Sequence, residues 1–256
     1  MVTPKALILR APGTNCDEET GFAFELAGAQ AELVHINELV SGRKALADYQ
    51  ILVIPGGFTY GDDISAGRIL ANEVRLKIGE RVRDFTDQGN LVLGICNGLQ
   101  VMVKAGILPP LSNDGEQGLT LAPNDSGKFE CRWSYLRANE SSPCVFTAGM
   151  GIMYLPVAHG EGKVVADSRV WNHASIAVQY CDEKGNIEAG YPDNPNGSEQ
   201  NIAGICDESG RIFALMPHPE RHIMGTQHPR WTREGRKESG DGLQMFVNAV
   251  NWVKSI

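Results

Sequence analysis

The sequence predicts an α/β fold: a doubly wound open sheet, mostly parallel, with antiparallel additions and helices on both faces. Three observations carry that reading. The first hundred residues alternate short apolar runs with amphipathic segments. Residues 50–54 and 91–95 are almost uniformly apolar, as expected for strands buried on both faces. From residue 106 to 217 the pattern changes to short β-like runs cut by Gly, Pro, Asn and Asp, which suits antiparallel pairs.

Taken in order, residues 5–10 form a first β-run and residues 17–29 a helix with apolar positions Phe22, Phe24, Leu26 and Ala27. Strands follow at 31–36 and 50–54. A charged amphipathic helix is expected over 69–88, with Leu70, Val74, Ile78, Val82 and Phe85 at spacings of four and three on one side. The strand at 91–95 then runs into a helix that begins at Asn97. In such a flavodoxin-like core the functional groups belong at the carboxyl ends of the strands. The runs 151–157, 162–166 and 176–180 read as antiparallel additions to that sheet. Residues 186–200 form a turn-dense loop ahead of a strand pair at 201–206 and 211–216. The last helix covers 241–254, with Leu243, Phe246, Val247, Val250 and Val253 inward. With no internal repeat or low-complexity tract, a single domain over residues 1–256 is expected.

The 256 residues are enough for a large core. No apolar stretch approaches the roughly 20 residues that span a bilayer. Residues 1–9 run straight into a strand pattern without a basic segment and cleavage site, so a cytoplasmic protein is expected. The net charge of −8 argues against nucleic acid or an anionic membrane as partner. The six cysteines show neither a C-x-x-C pair nor zinc spacing, so no metal is expected and the thiols are read as reduced, one of them reactive.

That reactive thiol is Cys96. In Gly94-Ile-Cys96-Asn-Gly98 one cysteine lies between two glycines, directly after an apolar strand and at the start of a helix. This is the nucleophile-elbow pattern with sulfur in place of oxygen. The helix dipole favours a thiolate there, and the N–H of Asn97 points at any oxyanion that forms. The other cysteines, Cys16 among them, show no elbow and no base in their sequence surroundings. Met216-Pro-His218-Pro-Glu220-Arg221 supplies base and carboxylate beyond a strand. In extended chain His218 and Glu220 share a face, and Pro217 and Pro219 hold the extension. Ile54-Pro55-Gly56-Gly57-Phe58 ends a strand in paired glycines, where the Gly57 N–H completes an oxyanion hole with that of Asn97.

Together these residues resemble the class I (triad) glutamine amidotransferases: Pro-Gly-Gly after a strand, Gly-x-Cys-x-Gly-x-Gln on the elbow, and His-x-Glu near the C-terminus. The order nucleophile, His, acid differs from that of the α/β-hydrolases. Seven longer motifs narrow the resemblance: Arg10-x-Pro-Gly-x-Asn-Cys-Asp17, Gly56-Gly-Phe-x-Tyr-Gly-Asp62, Gly94-x-Cys-Asn-Gly-Leu-Gln100, Phe129-Glu-Cys-Arg132, His159-Gly-Glu-Gly162, Tyr191-Pro-x-Asn-Pro-Asn-Gly-Ser198 and Met216-Pro-His-Pro-Glu-Arg221. They are similar to the glutaminase part of phosphoribosylformylglycinamidine synthase. The resemblance implies that Cys96, His218 and Glu220 hydrolyse L-glutamine, with Gly56 and Gln100 as candidate substrate contacts. It also implies a separate synthetase subunit that receives the ammonia and uses ATP and Mg2+, with a small third subunit as an option and no cofactor in this chain. Residues 233–239 match no motif and read as a surface loop. Three rival readings stay open: a glutaminase serving another synthetase, a stand-alone cysteine hydrolase of the same fold class, and a non-catalytic binding subunit with a vestigial triad, the last weakened because Cys96, His218 and Glu220 are all present.

Overall fold

The computed structural model describes residues 3–111, 115 and 117–256. The first two residues of the opening run, and residues 112–114 and 116 of the irregular middle, therefore lie outside the description. In chain order the first half contains β1 (Lys5–Arg10), α1 (Asp17–Leu26), β2 (Gln30–His35), α2 (Ile36–Val40), β3 (Ile51–Ile54), α3 (Arg68–Glu73), α4 (Gly79–Asp87), β4 (Leu91–Ile95) and α5 (Asn97–Ala105). The second half adds β5 (Leu119–Pro123), β6 (Glu130–Ala138), β7 (Ile152–His159), β8 (Glu161–Ala166), β9 (Ala174–Cys181), β10 (Ile202–Asp207), β11 (Ile212–Leu215), α6 (Trp231–Glu234) and α7 (Leu243–Ser255).

Nine strands form one sheet in the order β2-β1-β3-β4-β11-β10-β9-β6-β7. The first five run parallel to one another, and the remaining four pair antiparallel. The chain winds outward from β1 to β2 and then back through β3 to β4, so the order reverses between β1 and β3. Open α/β sheets bind ligands at such a reversal. Both β3 and β4 are buried along their whole length, which is why their sequences do not alternate. Helix α1 packs with α7, where Phe24 meets Phe246 edge-on at 5.0 Å, while α3 packs with α5. Among the described residues no helix is long and apolar enough to cross a membrane.

Several sequence expectations change. The helix expected over 69–88 is broken by a π turn over Val74–Ile78 between α3 and α4. All five of its expected core residues are nevertheless buried. A repeat of four drifts around an α-helix of about 3.6 residues per turn, and the wider π turn winds the stripe back toward the sheet. In α1, Phe22 and Leu26 are exposed and Ala23 and Phe24 carry the contact. In α7, Met245 and Ala249 join Phe246 and Val250 in the core, while Leu243, Val247 and Val253 are only half-buried. Strand β8, the run expected over 162–166, does not join the main sheet; it pairs with β5 in a separate two-stranded ribbon. Strands β5 and β6 were not signalled by the sequence. Residues 233–239 are exposed as expected, though Arg233 and Glu234 close the short helix α6.

Candidate active site

The elbow stands where the sequence places it. Cys96 leaves β4 with φ 51° and ψ −103° and precedes α5 directly. A non-glycine residue at positive φ costs of order 1–3 kcal/mol and persists only where its surroundings fix it. Here the Cys96 N–H donates to the Leu215 carbonyl at 2.8 Å, and the flanking glycines let the helix close down on the sheet. A Cβ on Gly98 would lie 1.9 Å from the Ile54 carbonyl oxygen, and one on Gly94 would lie 2.5 Å from Met102 Sδ. Cys96 itself is 5% exposed, with Sγ 3.6 Å from the Ala158 carbonyl oxygen.

His218 and Glu220 come together by a route different from the one expected. The chain does not stay extended: Pro219–Arg221 make a 3-10 turn with Pro219 in its first position, where a missing N–H costs nothing. That turn brings Glu220 Oε1 to 2.6 Å from His218 Nδ1. The pair is 2% and 0% exposed, and the His218 N–H anchors it to the Pro156 carbonyl at 2.9 Å. Burial works against charge on the His218 ring. The Glu220 carboxylate and then Cys96 outweigh it, so the imidazole pKa is held well above its ordinary value. Nδ1 is committed to Glu220 and Nε2 has no close hydrogen-bond partner, which leaves Nε2 as the nitrogen free to exchange a proton with Cys96. His159, on β7, is a second buried imidazole; burial first, and the His218 charge next, lower its pKa to about 4.

The turn after β3 completes the site. Gly57 has φ 156°, and a Cβ there would stand 2.7 Å from the Gly13 carbonyl oxygen. Its N–H has no hydrogen-bond partner among the described residues. The Asn97 N–H is one of the first-turn donors of α5 that no helical carbonyl reaches. Gly56 sits against the base: a Cβ on it would lie 2.8 Å from His218 Cε1 and 3.0 Å from Cys16 Sγ.

Behind these groups runs a buried polar network. Asn97 Oδ1 accepts from Thr59 N–H at 3.2 Å and from its hydroxyl at 2.7 Å, and Asn97 Nδ2 donates to Asp62 and to Gln100. Gln100 Nε2 donates to the Glu161 carbonyl at 2.5 Å, and Lys104 pairs with the Glu161 side chain at 2.5 Å. Gln100 is thus a buried amide joined to protein partners at both its oxygen and its nitrogen. Burial raises the Asp62 pKa against the Gly67 and Asn97 hydrogen bonds. Thr59, Asp62 and Lys104 were not singled out as site residues from the sequence, although Asp62 lies in a motif quoted above.

Cys16 departs most from expectation. Its sequence surroundings offer no base, yet Sγ lies 3.9 Å from His218 Nδ1 and accepts from Arg221 Nη2 at 3.1 Å. Ligand-type atoms of Cys16, His218 and Glu220 lie within 4.8 Å of one another. The adjacent guanidinium opposes a cation there, and Nδ1 is already bonded to Glu220. Burial, the largest influence, pushes the Cys16 thiol pKa up, with opposing help from His218. It is therefore a neutral thiol on the Nδ1 edge, without an elbow, and unsuited to be the nucleophile.

Fold and site together define a cysteine glutamine amidotransferase of the triad class. The family described as CobB/CobQ-like glutamine amidotransferase domain matches residues 3–253. Phosphoribosylformylglycinamidine synthase subunit PurQ of Dehalococcoides mccartyi is 58% identical over 252 residues, covering 98% of each chain. The PurQ of Methanococcus maripaludis is 43% identical over 267 residues, again covering 98% of both. A chain of the Thermotoga maritima PurLQS structure matches with a TM-score of 0.75 at 30% identity, covering 98% of this chain and all of that one. The chain belongs to this glutamine amidotransferase family, among the PurQ subunits.

Proposed function

We propose that the chain is the glutaminase subunit of phosphoribosylformylglycinamidine synthase, acting in the cytoplasm with Cys96, His218 and Glu220 as its triad. The observation that carries this assignment is the elbow cysteine facing an imidazole whose far nitrogen is held by a buried carboxylate. The Cys96 thiolate adds to the side-chain amide carbon of L-glutamine, and the N–H groups of Gly57 and Asn97 hold the oxyanion. As the C–N bond breaks, His218 Nε2 delivers its proton and ammonia leaves. The same nitrogen then takes a proton from water, hydroxide adds to the glutamyl thioester, and the C–S bond breaks to give glutamate and the free thiolate. Glu220 fixes the imidazole tautomer and stabilises its cation throughout.

Ammonia must stay unprotonated to serve as a nucleophile, so it passes along a shielded path to a synthetase subunit. ATP and Mg2+ belong to that partner, whose product is formylglycinamidine ribonucleotide. The near-complete burial of Cys96, His218 and Glu220 supports a site that opens only when the partner docks. Glutamate release is the direct test, measured for the purified chain alone and with the synthetase subunit, its nucleotide and its substrate. Low hydrolysis alone and a many-fold rise in the complex is the expected result. Equal rates would remove the gating and favour a stand-alone hydrolase; no hydrolysis in either state would remove the glutaminase assignment.

A further inference from the structure

Arg221 follows the catalytic carboxylate in sequence and presents a cation beside it. Its Nε is 3.4 Å from Glu19 and 4.0 Å from Glu220 Oε1, the oxygen bonded to His218. Glu220 Oε2 is buried and makes no hydrogen bond among the described residues, so it is an unused acceptor on the carboxylate that Arg221 approaches. A guanidinium bound bidentately to a carboxylate is among the strongest pairs a protein makes. Arg221 instead donates Nη2–H to Cys16 Sγ at 3.1 Å. The thiol in turn donates to Asn15 Oδ1 at 3.1 Å, and its backbone N–H is held by the Gly56 carbonyl at 3.2 Å.

We propose that Cys16 is a positioning residue for the glutaminase reaction: its sulfur holds the Arg221 guanidinium off Glu220, which keeps that carboxylate committed to His218. A weak, neutral acceptor suits the task. It fixes the arginine without adding a second negative charge beside Nδ1 and without competing with Glu220 for the imidazole proton. Removing the acceptor leaves Arg221 shared between Glu19 and Glu220, so that it closes on Glu220, which neutralises the charge that sustains the imidazolium and loosens the tautomer. The proposal rests on the triad reading above. The charged and titratable groups facing His218 are Glu220 and Arg221 on its own turn, Cys16 ahead of α1, Cys96 at the elbow and His159 on β7.

The test compares Cys16→Ala, Cys16→Ser and the double variant Cys16→Ala/Arg221→Met in the synthetase complex. Cys16→Ala is expected to lower kcat by about tenfold with little change in KM, because the loss falls on the chemical step. NMR titration of the imidazole is expected to show the His218 pKa lowered by about one unit, with the alkaline limb of kcat/KM moving to lower pH because the imidazolium that protonates ammonia is lost sooner. Cys16→Ser keeps an acceptor and should stay near wild type. Arg221→Met removes the competitor and should restore most of the loss caused by Cys16→Ala. Should Cys16→Ala fail to fold, Cys16→Val keeps the volume without an acceptor and replaces it. An unmoved His218 titration, or a loss that Arg221→Met does not repair, overturns the proposal. The titration needs no turnover, so a wild-type complex that failed to hydrolyse glutamine would refute the functional reading while Cys16 is still decided.

Discussion

Replacing Gly56 with alanine tests the site geometry with a single methyl group. The new Cβ would lie 2.8 Å from His218 Cε1 and 3.0 Å from Cys16 Sγ. Ordinary van der Waals contact begins near 3.4 Å, so the ring has to retreat by roughly 0.6 Å or the turn after β3 has to lift by the same amount. Neither is free to do so without loss. The ring is tied to Glu220 at 2.6 Å, and the turn is tied by Phe58 N–H to the Gly13 carbonyl at 2.9 Å and by Tyr60 N–H to the Pro12 carbonyl at 2.7 Å. Overpacking of this kind costs about 1–3 kcal/mol of stability. A misplacement of about 1 Å at a reacting group can cost of order a hundredfold in rate, so a loss of about ten- to a hundredfold in kcat is expected. The assay is glutamate release by the complex, with synthesis from added ammonium salt as the internal control, since ammonia bypasses this site. Full glutamine-dependent turnover by a folded Gly56→Ala variant would refute the reasoning, because the imagined crowding of His218 would then be absent.

Other outcomes follow from the same arrangement. Cys96→Ala should abolish glutamine-dependent synthesis and leave ammonium-dependent synthesis nearly intact; a glutamine-like electrophile should label Cys96 and spare buried Cys16, with the exposed Cys131 revealed by a general thiol reagent. His218→Ala should lose several orders of magnitude in rate, whereas Glu220→Gln keeps an imidazole and should retain some activity, with the alkaline limb of its kcat/KM profile at lower pH because the carboxylate no longer raises the His218 pKa. Acid should weaken the fold through His159. Its folded pKa of about 4 lies below the ordinary 6.5, so the unfolded chain binds the proton first and stability drains away as pH falls through that window. The loss between pH 7 and 5 is roughly 2 kcal/mol, and urea midpoints at the two pH values should lose that difference in His159→Asn.

The parts of the site that local sequence determines were legible in advance. A strand, a glycine-flanked cysteine and a helix fix the elbow, and a proline-flanked His-x-Glu carries an imidazole together with the carboxylate bonded to it. Distance along the chain hid the rest. Cys16 and His218 are 202 residues apart, and only the parallel neighbours β1, β3, β4 and β11 bring their ends to one place. Strand β6 escaped notice because charged residues (Glu130, Arg132 and Arg137) interrupt its apolar run, and Glu130 and Ser134 are among its buried residues. The π turn escaped because a stripe of apolar residues at spacing four looks like one continuous helix. The 3-10 turn at Pro219 escaped because proline suits an extended chain and the first position of a helix equally well.

Cys96 and His218, two of the three proposed triad residues, follow the neighbouring strands β4 and β11. Leu215 of β11 lies opposite Ile95 of β4, and the Cys96 N–H closes the ladder by donating to the Leu215 carbonyl. Cys96 and the backbone of His218 are therefore both held by main-chain hydrogen bonds to sheet strands, Cys96 to Leu215 of β11 and His218 to Pro156 of β7, which no side-chain repacking changes. The oxyanion turn belongs to a different mechanical class. It hangs on residues 12–16 and on the Asn97 side chain, through contacts that can be exchanged one at a time. The site thus resembles a vice with one fixed jaw and one sliding jaw: a docked partner can open the glutamine side without disturbing the distance across which the proton moves.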